Sequence, residues 1–257
     1  MQLYIEESGT PNAPTLLFLH GSGIGTWMWE AQIRGLPDFH CLNLDLPGHG
    51  KSNQVEYVSL QDTADQIATL IRERGTNGRA TLVGMSFGGY VALTALARHA
   101  DLIEKVVVSG VTDRPLPNRA AVLMQTRLLR PFMKTRWFVR LQAQMMRLPA
   151  EVIDVYSTSL LAMTRTAYDR IIQEVVDFHL PDALRHVTVP TLIAAGSAEM
   201  PPMVMAAATI PQTLPNAKGV LAPGLHHAWN GENPELFTAM IRAWLTGAPL
   251  PTELQPV

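Results

Sequence analysis

Cys41 is the one cysteine in this chain of 257 residues, so no internal disulfide can form and no cysteine-based zinc site can be built. Charge is also scarce. Only 16% of residues are charged, and 20 Lys and Arg against 22 Asp and Glu leave a formal net charge of −2. The basic excess with which proteins capture nucleic acid in bulk is therefore lacking. At 47% hydrophobic the chain is too apolar to be disordered, yet its apolar runs are too interrupted for a stable membrane insertion. Residues 1–10, MQLYIEESGT, form a strand-like opening without the basic and apolar regions of a signal peptide. These absences predict a single cytoplasmic domain spanning 1–257, whose partner is a small molecule. Oligomeric state has no signal in the sequence.

Short apolar runs alternate with helical patterns, the signature of a mostly parallel central sheet flanked by helices, an α/β architecture. The runs are TLLFLH (15–20), HCLNLDL (40–46), ATLVGMS (80–86), KVVVSG (105–110), PTLIAAG (190–196) and KGVLAPG (218–224). Cys41, within the second, is expected to be buried. VSLQDTADQIATLIRERG reads as a helix capped by Ser59, with Asp62 completing a capping box and Gly75 at the exit. Asn233 followed by Pro234 opens the last helix. The proline-rich tail TGAPLPTELQPV is expected to run extended over the surface.

From about residue 111 to 187 the strand rhythm stops and helical Leu, Met and Arg spacing takes over. This predicts an inserted helical lid over about 114–184. Positions 114–147 carry eight Lys or Arg and no Asp or Glu, interleaved with Phe132, Trp137 and Phe138. A solvated basic face over an apolar underside accounts for that pattern better than an anion or membrane site. The apolar residues, Trp137 and Phe138 among them, imply a pocket suited to an apolar acyl or aromatic group.

Gly84-Met85-Ser86-Phe87-Gly88 matches G-x-S-x-G between a strand and a helix, where a serine nucleophile belongs. A serine hydroxyl is a weak nucleophile near neutral pH and needs a base within reach, oriented by an acid. In sites of this type the chain order is Ser, acid, His. Of eight histidines, His20 and His49 precede the serine, and His40 opens a strand. His99, His179 and His186 fall on helices or helix ends. His226 and His227, after the final strand, are left as candidates. The backbone N–H of Phe87 and an N–H of the His20-Gly21-Ser22-Gly23 loop, that of Ser22, are the expected oxyanion donors. The Phe87 ring is expected to serve packing, and Asp45, Gly48 and His49 to shape a turn. Gly21-Ser22-Gly23-Ile24-Gly25 lacks the third glycine of a dinucleotide loop, because Thr26 stands there. No cofactor and no metal are expected.

These motifs together resemble the α/β-hydrolase superfamily, in particular its small lidded esterase and carbon-carbon hydrolase branch. His20-Gly21-Ser22-Gly23 is similar to the family's HGxG loop, Asp45 to Ser52 to its DxPGxGxS turn, and Gly84 to Gly89 to its nucleophile elbow. His227 to Pro234 is similar to H-x4-E-x-P, which selects His227 as the base; His226 stands where the family usually has glycine, a departure that either sets a second imidazole near the site or, the commoner outcome and the one expected, leaves a buried spacer. The resemblance places the acid in a G-x-x-D turn, which here reads Gly196-Ser197-Ala198-Glu199. Glu199 is thus the expected acid, and Asp113 after KVVVSG is its rival. The implied activity is hydrolysis of a carboxylester, lactone or thioester through an acyl-enzyme on Ser86. Carbon-carbon bond hydrolysis of vinylogous diketones is an alternative, as the HGSGIG loop partly resembles the HGGGPG of such enzymes. A non-hydrolytic binding protein or acyltransferase of the same fold is another.

Overall fold

The computed structural model describes residues 2–145, 148 and 150–257. Eight strands form one sheet: β1 (Ile5–Gly9), β2 (Thr15–Leu19), β3 (His40–Leu44), β4 (Ala80–Met85), β5 (Ile103–Ser109), β6 (Thr191–Gly196), β7 (Ala217–Ala222) and β8 (Gln255–Pro256). Their spatial order is β1-β3-β2-β4-β5-β6-β7-β8. β1 and β8 pair antiparallel with their neighbours, and the six strands between them are parallel. Strands of such a sheet are covered on both faces and therefore read as continuous apolar runs. Indeed β2, β3, β4 and β6 are buried along their whole length, and Cys41 in β3 is fully buried.

The helices are α1 (Glu30–Arg34), α2 (Leu60–Arg74), α3 (Phe87–Arg98), α4 (Arg119–Leu129), α5 (Arg136–Met145), α6 (Ile153–Ala162), α7 (Arg165–Val176), α8 (Pro201–Thr209), α9 (Trp229–Glu232) and α10 (Pro234–Thr246). Two apolar clusters lie on opposite faces of the sheet. One gathers α2 and α3 around Ile67, Tyr90 and Leu93; the other holds Trp29, Trp229 and Phe237. Ser59 caps α2 by accepting the Asp62 N–H at 3.0 Å. The expected capping box is only half made, since the Asp62 carboxylate accepts from the Gln66 amide instead. Asn233 caps α10 through the Leu236 N–H.

The tail departs from expectation. Rather than only lying extended on the surface, it adds β8 to the sheet edge and buries Leu254. Pro256 is tolerated there because an edge strand has an unpaired side.

Helices α4 to α7 occupy the long connection between β5 and β6. α7 is pinned to the body: Glu174 binds the Tyr57 hydroxyl and the Leu60 N–H, and Arg170 pairs with Glu56 at 2.7 Å. α6 rests on the loop after β2, where Trp27 Nε1–H donates to Ser159 Oγ at 3.0 Å. The basic stretch is partly neutralised by acids of α6, α7 and the residue after α7. Arg119 pairs with Asp177, Arg130 with Asp169 and Arg140 with Asp154. Arg147, the last cation of that stretch, lies outside the described residues. Trp137 is 58% exposed whereas Phe138 is buried, so Trp137 does not line a pocket as expected. Consecutive helix positions point about 100° apart, and only one of the two can face inward.

Candidate active site

Ser86 follows β4 directly and has φ 52° and ψ −121°, a conformation that a non-glycine residue adopts only when its surroundings impose it. Three backbone hydrogen bonds impose it here. The Ser86 N–H donates to Ser109 O at 2.8 Å, and its carbonyl accepts from Gly89 at 2.8 Å and Tyr90 at 3.1 Å. The turn also needs glycine beside it: a Cβ on Gly88 would lie 2.0 Å from Leu19 O, and one on Gly84 would lie 2.4 Å from Gly88 O. The result lifts a half-buried serine side chain above the sheet edge.

Phe87 is the first residue of α3, so its N–H is one of the donors that a helix start leaves unpaired. The other expected donor loop runs alongside, for a Cβ on Gly21 would come 3.6 Å from Ser86 Cβ. His20 holds that loop. Leu46 N–H donates to His20 Nε2 at 3.0 Å, which leaves the proton on Nδ1, and Nδ1–H donates to Gly21 O at 2.7 Å. Burial keeps this imidazole neutral, lowering its pKa to about 4. His49 stacks on the Phe87 ring at 5.6 Å and gives its Nδ1–H to Pro47 O. Burial, reinforced by nearby His20, lowers its pKa to about 3. Asp45 shapes the adjoining turn by accepting the N–H groups of Thr26 and Lys51. Phe87 and Asp45 thus stand in the packing and turn positions expected of them.

The turn after β6 brings Glu199 inward. Its side chain is fully buried; Oε1 accepts the Gly196 N–H at 2.9 Å, and Oε2 lies 2.9 Å from His227 Nδ1. His227 itself is 28% exposed in its side chain. Asp113 faces elsewhere, bound to Arg114 at 2.7 and 3.0 Å and to the Thr209 hydroxyl at 2.9 Å. Burial would raise its pKa, but the Arg114 guanidinium and the Thr209 hydroxyl outweigh that and hold it below the usual carboxylate range. Ser86 Oγ and His227 Nε2 are not hydrogen-bonded to each other here; such contacts commonly tighten only around substrate.

His226 is not the buried spacer that was expected. Its side chain is 28% exposed, and both its N–H and its Nδ1 bind the Glu232 carboxylate. Glu232, the glutamate of the H-x4-E-x-P segment, thereby holds the loop in front of His227. Gly110 was not singled out in the sequence either. It has φ +70°, and a Cβ there would lie 2.6 Å from His227 Cε1. A glycine ending the apolar run KVVVSG was its only sequence signal. Among the described residues no group of three or more His, Cys, Asp or Glu is arranged to hold a metal ion, and no helix is long and apolar enough to cross a membrane.

This combination of sheet, elbow and histidine loop defines a class. Residues 16–240 match the alpha/beta hydrolase family, and the chain is an enzyme of that family. It is 28% identical to the pimeloyl-[acyl-carrier protein] methyl ester esterase of Nitrosomonas europaea, over 94% of this chain and 98% of that protein. It is also 28% identical to the 2-(acetamidomethylene)succinate hydrolase of Mesorhizobium japonicum, over 91% of this chain and 88% of that one. Among solved structures, a thermophilic esterase from Thermogutta terrifontis superposes with a TM-score of 0.78 at 26% identity, covering 95% of this chain and 93% of the other.

Proposed function

We propose that this enzyme is a serine hydrolase of small ester-like substrates, with Ser86 as nucleophile, His227 as general base and Glu199 as the orienting acid. The observation that carries this reading is the 2.9 Å pairing of His227 Nδ1 with the fully buried Glu199 carboxylate, beside the strained Ser86 turn. In this scheme Ser86 Oγ attacks the substrate carbonyl and passes its proton to His227 Nε2. Glu199 keeps the other ring nitrogen protonated and stabilises the imidazolium without taking the proton. The tetrahedral oxyanion accepts from the N–H groups of Phe87 and Ser22, each donor contributing roughly 2.7 to 4 kcal/mol. His227 then protonates the leaving group, and water, activated in the same way, releases the acid from Ser86.

The names of the Nitrosomonas and Thermogutta relatives, both esterases, support a carboxylester, with lactones and thioesters of the same reactivity. Helices α4 to α7, about residues 114–184, serve as the lid of one catalytic domain and favour an apolar acyl or aromatic group. The HGSGIG loop favours a second reading, hydrolysis of a carbon-carbon bond in a vinylogous diketone.

A fluorophosphonate should label Ser86, and only a protein with Ser86 intact should turn over a panel of acyl esters, lactones and vinylogous diketones. A label mapped by peptide analysis to another residue, or full turnover by Ser86→Ala, would overturn the assignment. The best substrate in the panel separates the two readings.

A further inference from the structure

Ser109, the last residue of β5, is fully buried and follows three buried valines, Val106 to Val108. A hydroxyl in such surroundings needs a partner. It has one 120 residues away: the indole Nε1–H of Trp229 donates to Ser109 Oγ at 2.8 Å. Trp229 stands two positions beyond His227, is itself fully buried, and is wedged against Phe237 with ring centroids 4.3 Å apart. Packing fixes where the indole lies, and the hydrogen bond fixes which way it points.

The same serine reaches the nucleophile. Its carbonyl accepts the Ser86 N–H at 2.8 Å, the bond that helps to impose the strained turn. The next residue, Gly110, passes against the base and the acid: a Cβ there would lie 2.9 Å from His227 Nδ1 and 3.5 Å from Glu199 Oε2. The Gly110 N–H in turn donates to Ala194 O of β6, the strand that leads to Glu199. One dipeptide thus touches the Ser86 turn, the His227 loop and the Glu199 carboxylate.

We propose that Ser109 and Trp229 are a pair of positioning residues, whose hydrogen bond sets the reach of His227 toward Ser86. The proposal rests on the assignment of Ser86 and His227 made above. Glu232 restrains the His227 loop on its N-terminal side through His226. Trp229 restrains it on the C-terminal side, and to the very residue that holds Ser86. Without that bond the two ends of the proton-transfer path would be coupled only through the sheet, the Gly110 packing and Glu199, and the distance between them would be less tightly set. A misplacement of about 1 Å costs on the order of 100-fold in rate.

The test uses Ser109→Ala, Trp229→Phe and the double variant, each checked for folding by circular dichroism. Turnover and the rate of fluorophosphonate labelling are measured on an ester that the wild type hydrolyses. Each single variant should lower kcat and the labelling rate by about 10- to 100-fold while KM stays within about twofold. The double variant should be no slower than the singles, because both remove the same bond. Unchanged kcat in the folded single variants, or losses that multiply in the double variant, would overturn the proposal. Ser86→Ala is assayed beside them. If it remains active, the nucleophile assignment fails and the tether fails with it; if it is inactive while Ser109→Ala is fully active, only the tether fails.

Discussion

Glu199 divides its two oxygens between the chain and the imidazole, Oε1 to the Gly196 N–H and Oε2 to His227 Nδ1. The methylene that distinguishes it from aspartate lets the carboxylate fold back on its own turn and still meet the imidazole. Aspartate at 199 would have to give up one of these bonds. Asp113, by contrast, is committed to Arg114 and Thr209. Glu199→Gln should therefore lower kcat by about four orders of magnitude with the fold intact, and Asp113→Asn should leave most of it. Steady-state kinetics on the two variants check this, and near-wild-type turnover in Glu199→Gln with collapse in Asp113→Asn would reverse the assignment. A related expectation concerns Gly110. Gly110→Ala would set a methyl 2.6 Å from His227 Cε1 at φ +70°, so the ring must leave its place against Glu199. Turnover should fall by about 100-fold or more, and activity close to wild type would show that the ring has room to spare.

Among the elements, α6 has the most direct line to the site. Leu160 Cδ1 would be 2.7 Å from a Cβ on Gly23, and Ser159 takes the Trp27 indole N–H, so this helix covers the loop that carries the expected oxyanion donor. α4 is different, having no buried residue at all, with Met124 and Leu128 exposed on its outer face. Shortening the buried Leu160 should open space against the Gly21–Gly23 loop, which runs beside Ser86, without disturbing the elbow. Leu160→Ala should therefore shift kcat/KM between short and long acyl esters by about tenfold, the scale on which one or two methylenes act in an apolar pocket. Met124→Ala should not. A uniform change across the ester series in Leu160→Ala would show that α6 does not shape the acyl site.

For the molecule as a whole, the buried imidazoles make stability depend on pH. His20 and His49 titrate in the unfolded chain near 6.5 and in the folded protein only at about 4 and about 3. Below pH 6.5 the unfolded chain binds protons that the folded one refuses, so stability is full above that pH and falls as the pH drops from 6.5 toward 4. Each histidine contributes a slope of up to about 1.4 kcal/mol per pH unit in this window. Urea unfolding of wild type and His49→Asn at pH 7, 5.5 and 4.5 tests the point. The variant should show the shallower slope, and equal slopes would mean that His49 is protonated in the fold.

How much of this was legible in the sequence depends on how far apart the partners lie. The serine elbow is written in contiguous residues: an apolar strand, a glycine two places on either side of Ser86, and a helix that follows at once. Local sterics make such a turn, and so it can be read directly. The Ser59 and Asn233 caps are local in the same way, and the parallel sheet follows from apolar runs spaced by helical patterns. Even locally the pattern misleads where two geometries compete, as with Asp62, whose carboxylate turned to Gln66 rather than back to the helix start. Between distant residues, the tertiary structure decided. Which carboxylate meets His227 depended on placing β6 beside both β5 and β7, a matter of strand order and register that no single segment encodes. The bond from Trp229 to Ser109, the outward face of Trp137 and the seating of the tail on β7 are of that kind. Contiguous residues determine their own turns and caps because the chain itself holds them together; partners a hundred residues apart meet only when the sheet has closed between them.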